Sequence, residues 1–304
     1  MDLYVVVGAG ATGSATARLL AEAGERVRLV SRRGSGPVHE RIERLALDAT
    51  DTGRLAEAAR GAVALFNCAM PAYDSWPAEF PPLTASLLAA AERGGTDYVM
   101  LGNTYGYGIV DGPFTEDLPM APSSVKGRVR AGMWQDALAA QEAGRVRVTE
   151  VRASDLLGGG ASSPFTLMVR APLLAGSPVF YPGDFDAPHS WSYTVDVART
   201  MIAAARSERS WGRAWHVPSF SEVPVRELAE RVAVAAGVPV PELVRMTGAE
   251  LEEAGRGDSV MAELVEMRYL FDRPNILDAS LTESVLGVVP AALDVVVKEL
   301  AAER

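Results

Sequence analysis

The sequence predicts an α/β protein built on a doubly wound parallel sheet, with a smaller C-terminal lobe, and three observations predict it. Short strand-like runs alternate with amphipathic helical runs through the first half. The strand runs are continuously apolar, as in a sheet covered on both faces, and a glycine-rich turn joins the first strand to the first helix. Strands are expected at Leu3–Val7, Arg26–Ser31, Glu43–Leu47, Ala62–Asn67, Asp97–Leu101 and Val146–Arg152. Helices are expected between them at Ala11–Ala23, Thr52–Arg60, Pro82–Arg93 and Ser123–Glu142. Gly24, Gly61, Gly94–Gly95 and Gly144 fall where helix C-caps or turns should sit.

The glycine turn carries chemistry. In Val7-Gly8-Ala9-Gly10-Ala11-Thr12-Gly13, Gly8 permits the tight bend, Gly10 lets a pyrophosphate approach the main chain, and Gly13 allows close helix-strand packing. The free N–H groups of the first helical turn then form an anion site. A glycine-rich turn by itself is common, but here the apolar strand before it, the helix after it and the second strand give the context of dinucleotide binding. The end of that second strand selects the cofactor. An NAD site places Asp or Glu there to accept from both ribose hydroxyls, whereas this chain reads Ser31-Arg32-Arg33. Two guanidiniums and a hydroxyl suit a 2′-phosphate, so NADP(H) is expected over NAD(H); the alternative is a pair of solvated loop arginines.

With 304 residues, 48% apolar, the chain has room for a Rossmann domain over about 1–155, to which 190–217 should return, and a mainly substrate-binding lobe over 156–304. A net charge of −10 argues against nucleic acid and anionic membranes as partners. No apolar run approaches bilayer length and no basic leader opens the chain, so a soluble cytoplasmic protein is expected. Cys68 stands alone, and His39, His189 and His216 are scattered, so neither a disulfide framework nor a metal site is expected. Cys68 itself reads as a small buried hydrophobe rather than a reactive thiol. Lys126 and Lys298 are the only lysines among 29 basic residues, which makes Lys126 conspicuous.

Past Arg152 the pattern loosens. Gly158-Gly159-Gly160 and the prolines at 164, 172, 178, 182 and 188 punctuate short segments, which suits the rim of a cleft. Helices resume at Thr194–Arg206, Pro224–Ala236, Ser259–Met267 and Pro290–Glu303. The aromatic residues Phe180, Tyr181, Trp191, Trp211 and Trp215 are candidates to line a mostly apolar pocket, or alternatively to close the core of the lobe. The first possibility favours an apolar small molecule over a sugar nucleotide. Arg170, Arg268 and Arg273 are the residues that could hold a second diphosphate.

The order of these motifs resembles the extended or atypical short-chain dehydrogenase/reductase superfamily, and within it the NAD(P)-dependent epimerase/dehydratase members. The resemblance rests on Gly8 to Gly13, Asp48-Ala49, Asn67-Cys68-Ala69, Asn103-Thr104-Tyr105-Gly106-Tyr107-Gly108, Lys126, Val151 to Gly158, Ser192 to Ala198, and the late Asp278…Leu286-Gly287…Pro290. It implies that Asp48 bonds the adenine amino group, that Ala49 touches the adenine ring, and that Asn67, Cys68 and Ala69 run beneath the ribose and pyrophosphate. Lys126 would reach the nicotinamide ribose and lower the pKa of a catalytic tyrosine four residues earlier. It also makes a homodimer through the helices Pro82–Arg93 and Ser123–Glu142 possible.

Position 122, where that tyrosine should stand, is proline. Pro122-Ser123-Ser124 reads as a helix start, and serine hydroxyls are poor stand-ins for a phenol. The serine or threonine usual after the fifth strand appears as Asn103, followed by Thr104. Three readings stay open. Hydride passes between NADPH and a carbonyl or hydroxyl, with the proton moved to Tyr105, Tyr107, Tyr193 or His189; or the cofactor serves transiently in an isomerisation, epimerisation or dehydration, with Asn103 and Thr104 binding an oxyanion and Asp111, Glu116 or Asp117 as nearby carboxylates; or the chain is a redox-silent NADP(H)-binding protein.

Overall fold

The alternating apolar runs close into a seven-stranded, all-parallel sheet in a computed structural model that describes residues 1–302. In chain order the first half comprises β1 (Leu3–Val7), α1 (Ala11–Glu22), β2 (Arg26–Ser31), β3 (Ile42–Ala46), α2 (Thr52–Ala59), β4 (Ala64–Asn67), α3 (Trp76–Gly94), β5 (Asp97–Asn103), α4 (Val125–Glu142) and β6 (Val148–Ala153). There follow β7 (Asp155–Leu157), α5 (Ala171–Leu174), β8 (Val179–Tyr181), β9 (Trp191–Tyr193), α6 (Thr194–Arg206) and β10 (Arg213–His216). The chain ends with α7 (Val225–Ala236), β11 (Leu243–Arg245), α8 (Gly248–Gly255), α9 (Ser259–Met267), α10 (Ser280–Leu286) and α11 (Leu293–Ala302). Glu303, the last residue of the predicted terminal helix, lies outside the described residues.

The spatial order is β10-β6-β5-β4-β1-β2-β3. Strand order reverses between β1 and β4, which pair in register from Tyr4↔Ala64 to Val7↔Asn67. Their carboxyl ends therefore flank a crevice of the kind in which open α/β sheets bind ligands. Side chains alternate across the sheet as the pleat requires. Val5, Val7, Tyr98 and Met100 face α2, α3 and α4, whereas Tyr4, Val6, Phe66 and Val99 face α1 and α6. Both faces are thus covered, which is why the strands read as unbroken apolar runs.

Later in the chain, α6 packs on α1 and β10 pairs with β6 at the edge of the sheet. The rest of the second half forms its own core around Phe165, Val179, Leu228, Val232, Met267 and Leu300. The largest departure from a predicted helix start is in α3. α3 begins at Trp76 rather than Pro82 and carries Pro81 and Pro82 in its interior. Trp76 and Phe80, four residues apart, bury one face with their rings edge-on and their centres 5.1 Å apart. The guanidinium of Arg130 stacks on both, at 4.6 and 4.5 Å. Burial of two large aromatics offsets the backbone bonds that the prolines remove.

The predicted aromatic pocket wall is corrected in part. Trp215 belongs to the core between the sheet and α6. Trp191 is buried in the core of the lobe, its indole N–H donating to the Val223 carbonyl at 2.8 Å. No helix among the described residues is long and apolar enough to cross a membrane.

Candidate functional site

Three glycines of the first turn divide the work as their spacing predicts. Gly8 has φ +104°, and a Cβ there would meet the Cys68 carbonyl oxygen at 2.5 Å. A Cβ on Gly13 would lie 1.9 Å from the Gly8 carbonyl oxygen. On Gly10 a Cβ would meet nothing within 4 Å. The first two glycines are therefore fixed by protein contacts, and the third opens onto free space. Thr12 has a buried hydroxyl without a partner in the same turn. Beside it lies a cleft of about 500 Å³ lined by Gly10, Ala11, Ser14, Arg18, Gly159 and Glu299. Free space at Gly10, an unfilled hydroxyl and the open end of α1 fit a dinucleotide pyrophosphate.

At the end of β2, Ser31 does not reach outward. Its hydroxyl accepts from the Ser35 N–H at 2.8 Å and so shapes the turn that presents Arg32 and Arg33, both exposed. Asp48 accepts from the Thr50 N–H at 3.0 Å and the Thr50 hydroxyl at 2.8 Å. These bonds, with Arg32 nearby, hold its carboxyl below the usual range. Ala49 is buried and its carbonyl accepts from Ser86. Asn67 is committed within the fold: its amide donates to the Tyr98 phenol at 2.7 Å, and its oxygen accepts from the Ala69 N–H at 3.2 Å. Cys68 packs its sulfur 3.9 Å from that of Met201, and burial pushes the thiol up to about 12, the behaviour of an inert residue.

The far end of the crevice is built differently. Ser124 caps α4, its hydroxyl accepting from Gly127 N–H at 3.0 Å, so the serine pair starts a helix as its sequence suggests. Lys126, the second residue of α4, is fully buried. Its ammonium pairs with Glu263, stands 3.6 Å from Glu266, and sits 4.5 Å above the ring of Tyr73. Glu263 and Glu266 are three residues apart and share one face of α9. Glu266 also accepts from the Val125 and Lys126 N–H groups at 2.7 and 3.2 Å. A helix of the C-terminal lobe thereby covers the start of α4.

The sequence-predicted acid–base candidates separate. Tyr105 stays at the crevice, its phenol oxygen 3.5 Å from that of Tyr73. Burial above all, with the Asp155 carboxylate adding to it, holds both phenols far above their ordinary range; the neighbouring phenol raises Tyr73 further, whereas the bond from Tyr73 lowers Tyr105. They are protonated donors, unable to act as bases near neutrality. Asn103 caps the short turn Thr104–Tyr107 by accepting from Tyr105 N–H at 3.2 Å, and Thr104 is buried beside it. Tyr107 belongs elsewhere. It is buried between His216 Nε2 at 2.7 Å and Arg152 Nη1 at 2.5 Å, and Arg152 in turn pairs with buried Glu150 at 2.7 Å. Tyr193 donates to Glu299 at 2.5 Å beside the glycine turn, not beside Lys126. Asp111, Glu116 and Asp117 lie on the far side, where Glu116 and Asp117 line a second cavity of about 630 Å³ with Trp134 and Arg213.

Sequence reasoning missed Tyr73, Glu263 and Glu266. Tyr73 follows β4 at the switch point, where position alone could have nominated it. The two glutamates carried an i,i+3 signal on a correctly predicted helix, but nothing local ties that helix to Lys126. The three arginines offered for a second diphosphate all have protein partners. Arg170 donates to the Leu300 carbonyl at 2.6 Å, Arg268 pairs with Asp272 at 2.9 Å, and Arg273 lies 3.7 Å from Asp111.

With this geometry in view, comparison with known proteins is informative. Residues 4–217 match the model of the NAD dependent epimerase/dehydratase family. No curated protein matches the chain. Among solved structures, the chain is similar to the UDP-glucuronic acid 4-epimerase of Bacillus cereus in complex with UDP-glucuronic acid and NAD, with 16% identity, TM-score 0.78 and 98% of both chains covered. A dTDP-glucose 4,6-dehydratase from Streptomyces venezuelae with NAD bound shares 23% identity at TM-score 0.78, covering 99% of this chain and 96% of that one. The dTDP-glucose 4,6-dehydratase of Bacillus anthracis, in complex with NAD, shares 17% at TM-score 0.79, with 99% and 96% covered. These likenesses establish a common fold across the whole chain.

Proposed function

This chain belongs to the NAD dependent epimerase/dehydratase family, and on that premise we propose that it is an NADP(H)-dependent enzyme that oxidises or reduces a carbon–oxygen centre of an apolar small molecule. The observation that carries the reading is the open space at Gly10 beside the unpartnered Thr12 hydroxyl, a cradle shaped for a pyrophosphate. When bound, the dinucleotide supplies or accepts hydride at its nicotinamide. Arg32 and Arg33, exposed and aligned by the Ser31 turn, would hold the 2′-phosphate. The structural relatives carry NAD, but no carboxylate stands at the end of β2 to accept from both ribose hydroxyls.

Lys126 would orient the nicotinamide ribose, and the neutral phenols of Tyr73 and Tyr105 would donate hydrogen bonds to a substrate oxygen. The apolar preference follows from the surroundings. Tyr73, Tyr105 and Trp76 pack together beside Lys126, with Tyr181 against Phe271 in the lobe, while the arginines suited to a second diphosphate already have protein partners. A variant in which hydride returns to the same substrate molecule is favoured by the closed Lys126 end, which suits a cofactor retained through turnover.

Calorimetric titration with NADPH and NADH tests the cofactor. Arg32→Ala with Arg33→Ala should weaken NADPH about 30-fold, near 2 kcal/mol, with NADH nearly unchanged. Tighter NADH binding by the native protein would reverse the assignment. Following nicotinamide absorbance with a panel of aromatic ketones and diketones tests the reaction. Substrate-dependent oxidation supports a net reductase, product without cofactor change supports the transient use, and binding without turnover supports a redox-silent protein.

A further inference from the structure

The site described so far can donate protons but has no base, and a second cluster beside Tyr73 and Tyr105 supplies one. Asp155 opens β7 immediately past β6, and His189 precedes β9, which pairs with β7 in the register Asp155↔Trp191. His189 Nε2 lies 3.0 Å from Asp155 Oδ2. The angle is too poor for a hydrogen bond, and Nε2 has no other partner. His189 bridges to Asn275, whose buried side-chain oxygen also lacks a partner. Two buried polar atoms with unfilled capacity on a pair of bridged residues are uncommon and point to a ligand or a proton. The side chain of Asp155 is 14% exposed and that of His189 is 4% exposed, so the carboxylate is the more accessible member of the pair.

We propose that Asp155, backed by His189, carries the proton that the absent tyrosine would otherwise carry. The inference rests on the functional reading above and extends it to named groups. In oxidation, Asp155 takes the proton of the substrate hydroxyl while the carbinol C–H bond breaks and its hydride passes to the oxidised cofactor. The C=O bond forms from the O–H electron pair, and the proton moves on to His189. In reduction the protonated pair returns that proton to the nascent alkoxide as NADPH is oxidised. Tyr73, Tyr105 and Tyr181 surround Asp155 as neutral phenols, and Lys126 with Glu263 and Glu266 lies beyond Tyr73. Trp191 stacks on the imidazole with ring centres 4.3 Å apart, and the Glu222 carbonyl accepts the His189 backbone N–H.

Two measurements on the full chain test the assignment. With a carbonyl compound that the native protein reduces, Asp155→Asn and His189→Gln should each lower kcat by about 100-fold or more while NADPH affinity changes less than about twofold. Both variants retaining activity within about threefold would overturn the proposal. The second arm needs no turnover: ¹⁵N NMR titration of the His189 imidazole in protein saturated with NADP⁺ and then with NADPH. A cationic nicotinamide near the pair should lower the imidazole's midpoint relative to the reduced complex, and identical titrations would refute the assignment. Failure of both nucleotides to bind would instead remove the functional reading, and the pair's role with it.

Discussion

The two ends of the crevice are built by opposite strategies. At the glycine end, functional groups are set by neighbours a few residues away: Ser31 by Ser35, Asp48 by Thr50, Asn67 to Ala69, and α1 by its own first turn. That end is open and presents two exposed arginines. At the lysine end the contacts of the ammonium span the chain, with Lys126 and Glu263 separated by 137 positions, and the cation is fully enclosed. An anion-binding cradle can be encoded locally because backbone N–H groups do most of the binding. An enclosed cation must be neutralised by carboxylates brought from wherever the fold supplies them.

The sharpest way to break this comparison is to add one methyl group at two positions of the glycine turn. Gly10→Ala places a Cβ in free space, so thermal stability should hold while dinucleotide affinity falls, by about 3 kcal/mol, or roughly 100-fold. Gly13→Ala drives a Cβ into the Gly8 carbonyl, and should instead cost the fold about 3 kcal/mol or more, read as a lowered melting temperature without ligand. Equal melting temperatures would mean that Gly13, too, is kept for the ligand.

The contrast also explains what was legible. The strand and helix order through β6 follows from apolar periodicity, with strand ends displaced by no more than two residues, and the glycine turn follows from local backbone needs. The start of α3 was hidden because prolines read as a boundary where aromatic burial carried the helix through them. Tyr107 was hidden in another way. Its motif position suggested an acid, but its fate depends on His216, which lies 109 residues away. The prediction that follows concerns pH. Burial depresses His216 from 6.5 to about 4, so on acidification the unfolded chain takes up its proton first. The contribution of the neutral imidazole is complete above about pH 6.5 and is lost as pH drops, the loss reaching about 3 kcal/mol once the folded value is passed. Denaturant unfolding at pH 7 and pH 5 should show the native protein losing about 2 kcal/mol more than His216→Gln. An unchanged difference would place the Tyr107 network outside the stability of the fold and return Tyr107 to the acid–base candidates.

The smallest effect bears most directly on why the lysine end is closed. The Lys126 ammonium has three donors, and Glu263 and Glu266 from α9 lie against it, so under the proposed function one would be left for the ribose of a nicotinamide. Glu263 is part exposed and bonds no backbone group, whereas Glu266 also caps α4. Glu263 is therefore the partner that can be weakened without loosening the helix. Glu263→Gln keeps the shape, removes a negative charge that a dinucleotide would have to approach, and frees a second donor. NADPH should then bind tighter by about 1 kcal/mol, roughly fivefold, in the same calorimetric titration. Glu266→Gln should weaken binding, because the amide caps α4 less well and the lysine loses its placement. If both substitutions weaken binding alike, α9 is a second wall of the cofactor site, and its carboxylates assist the ammonium instead of competing for it.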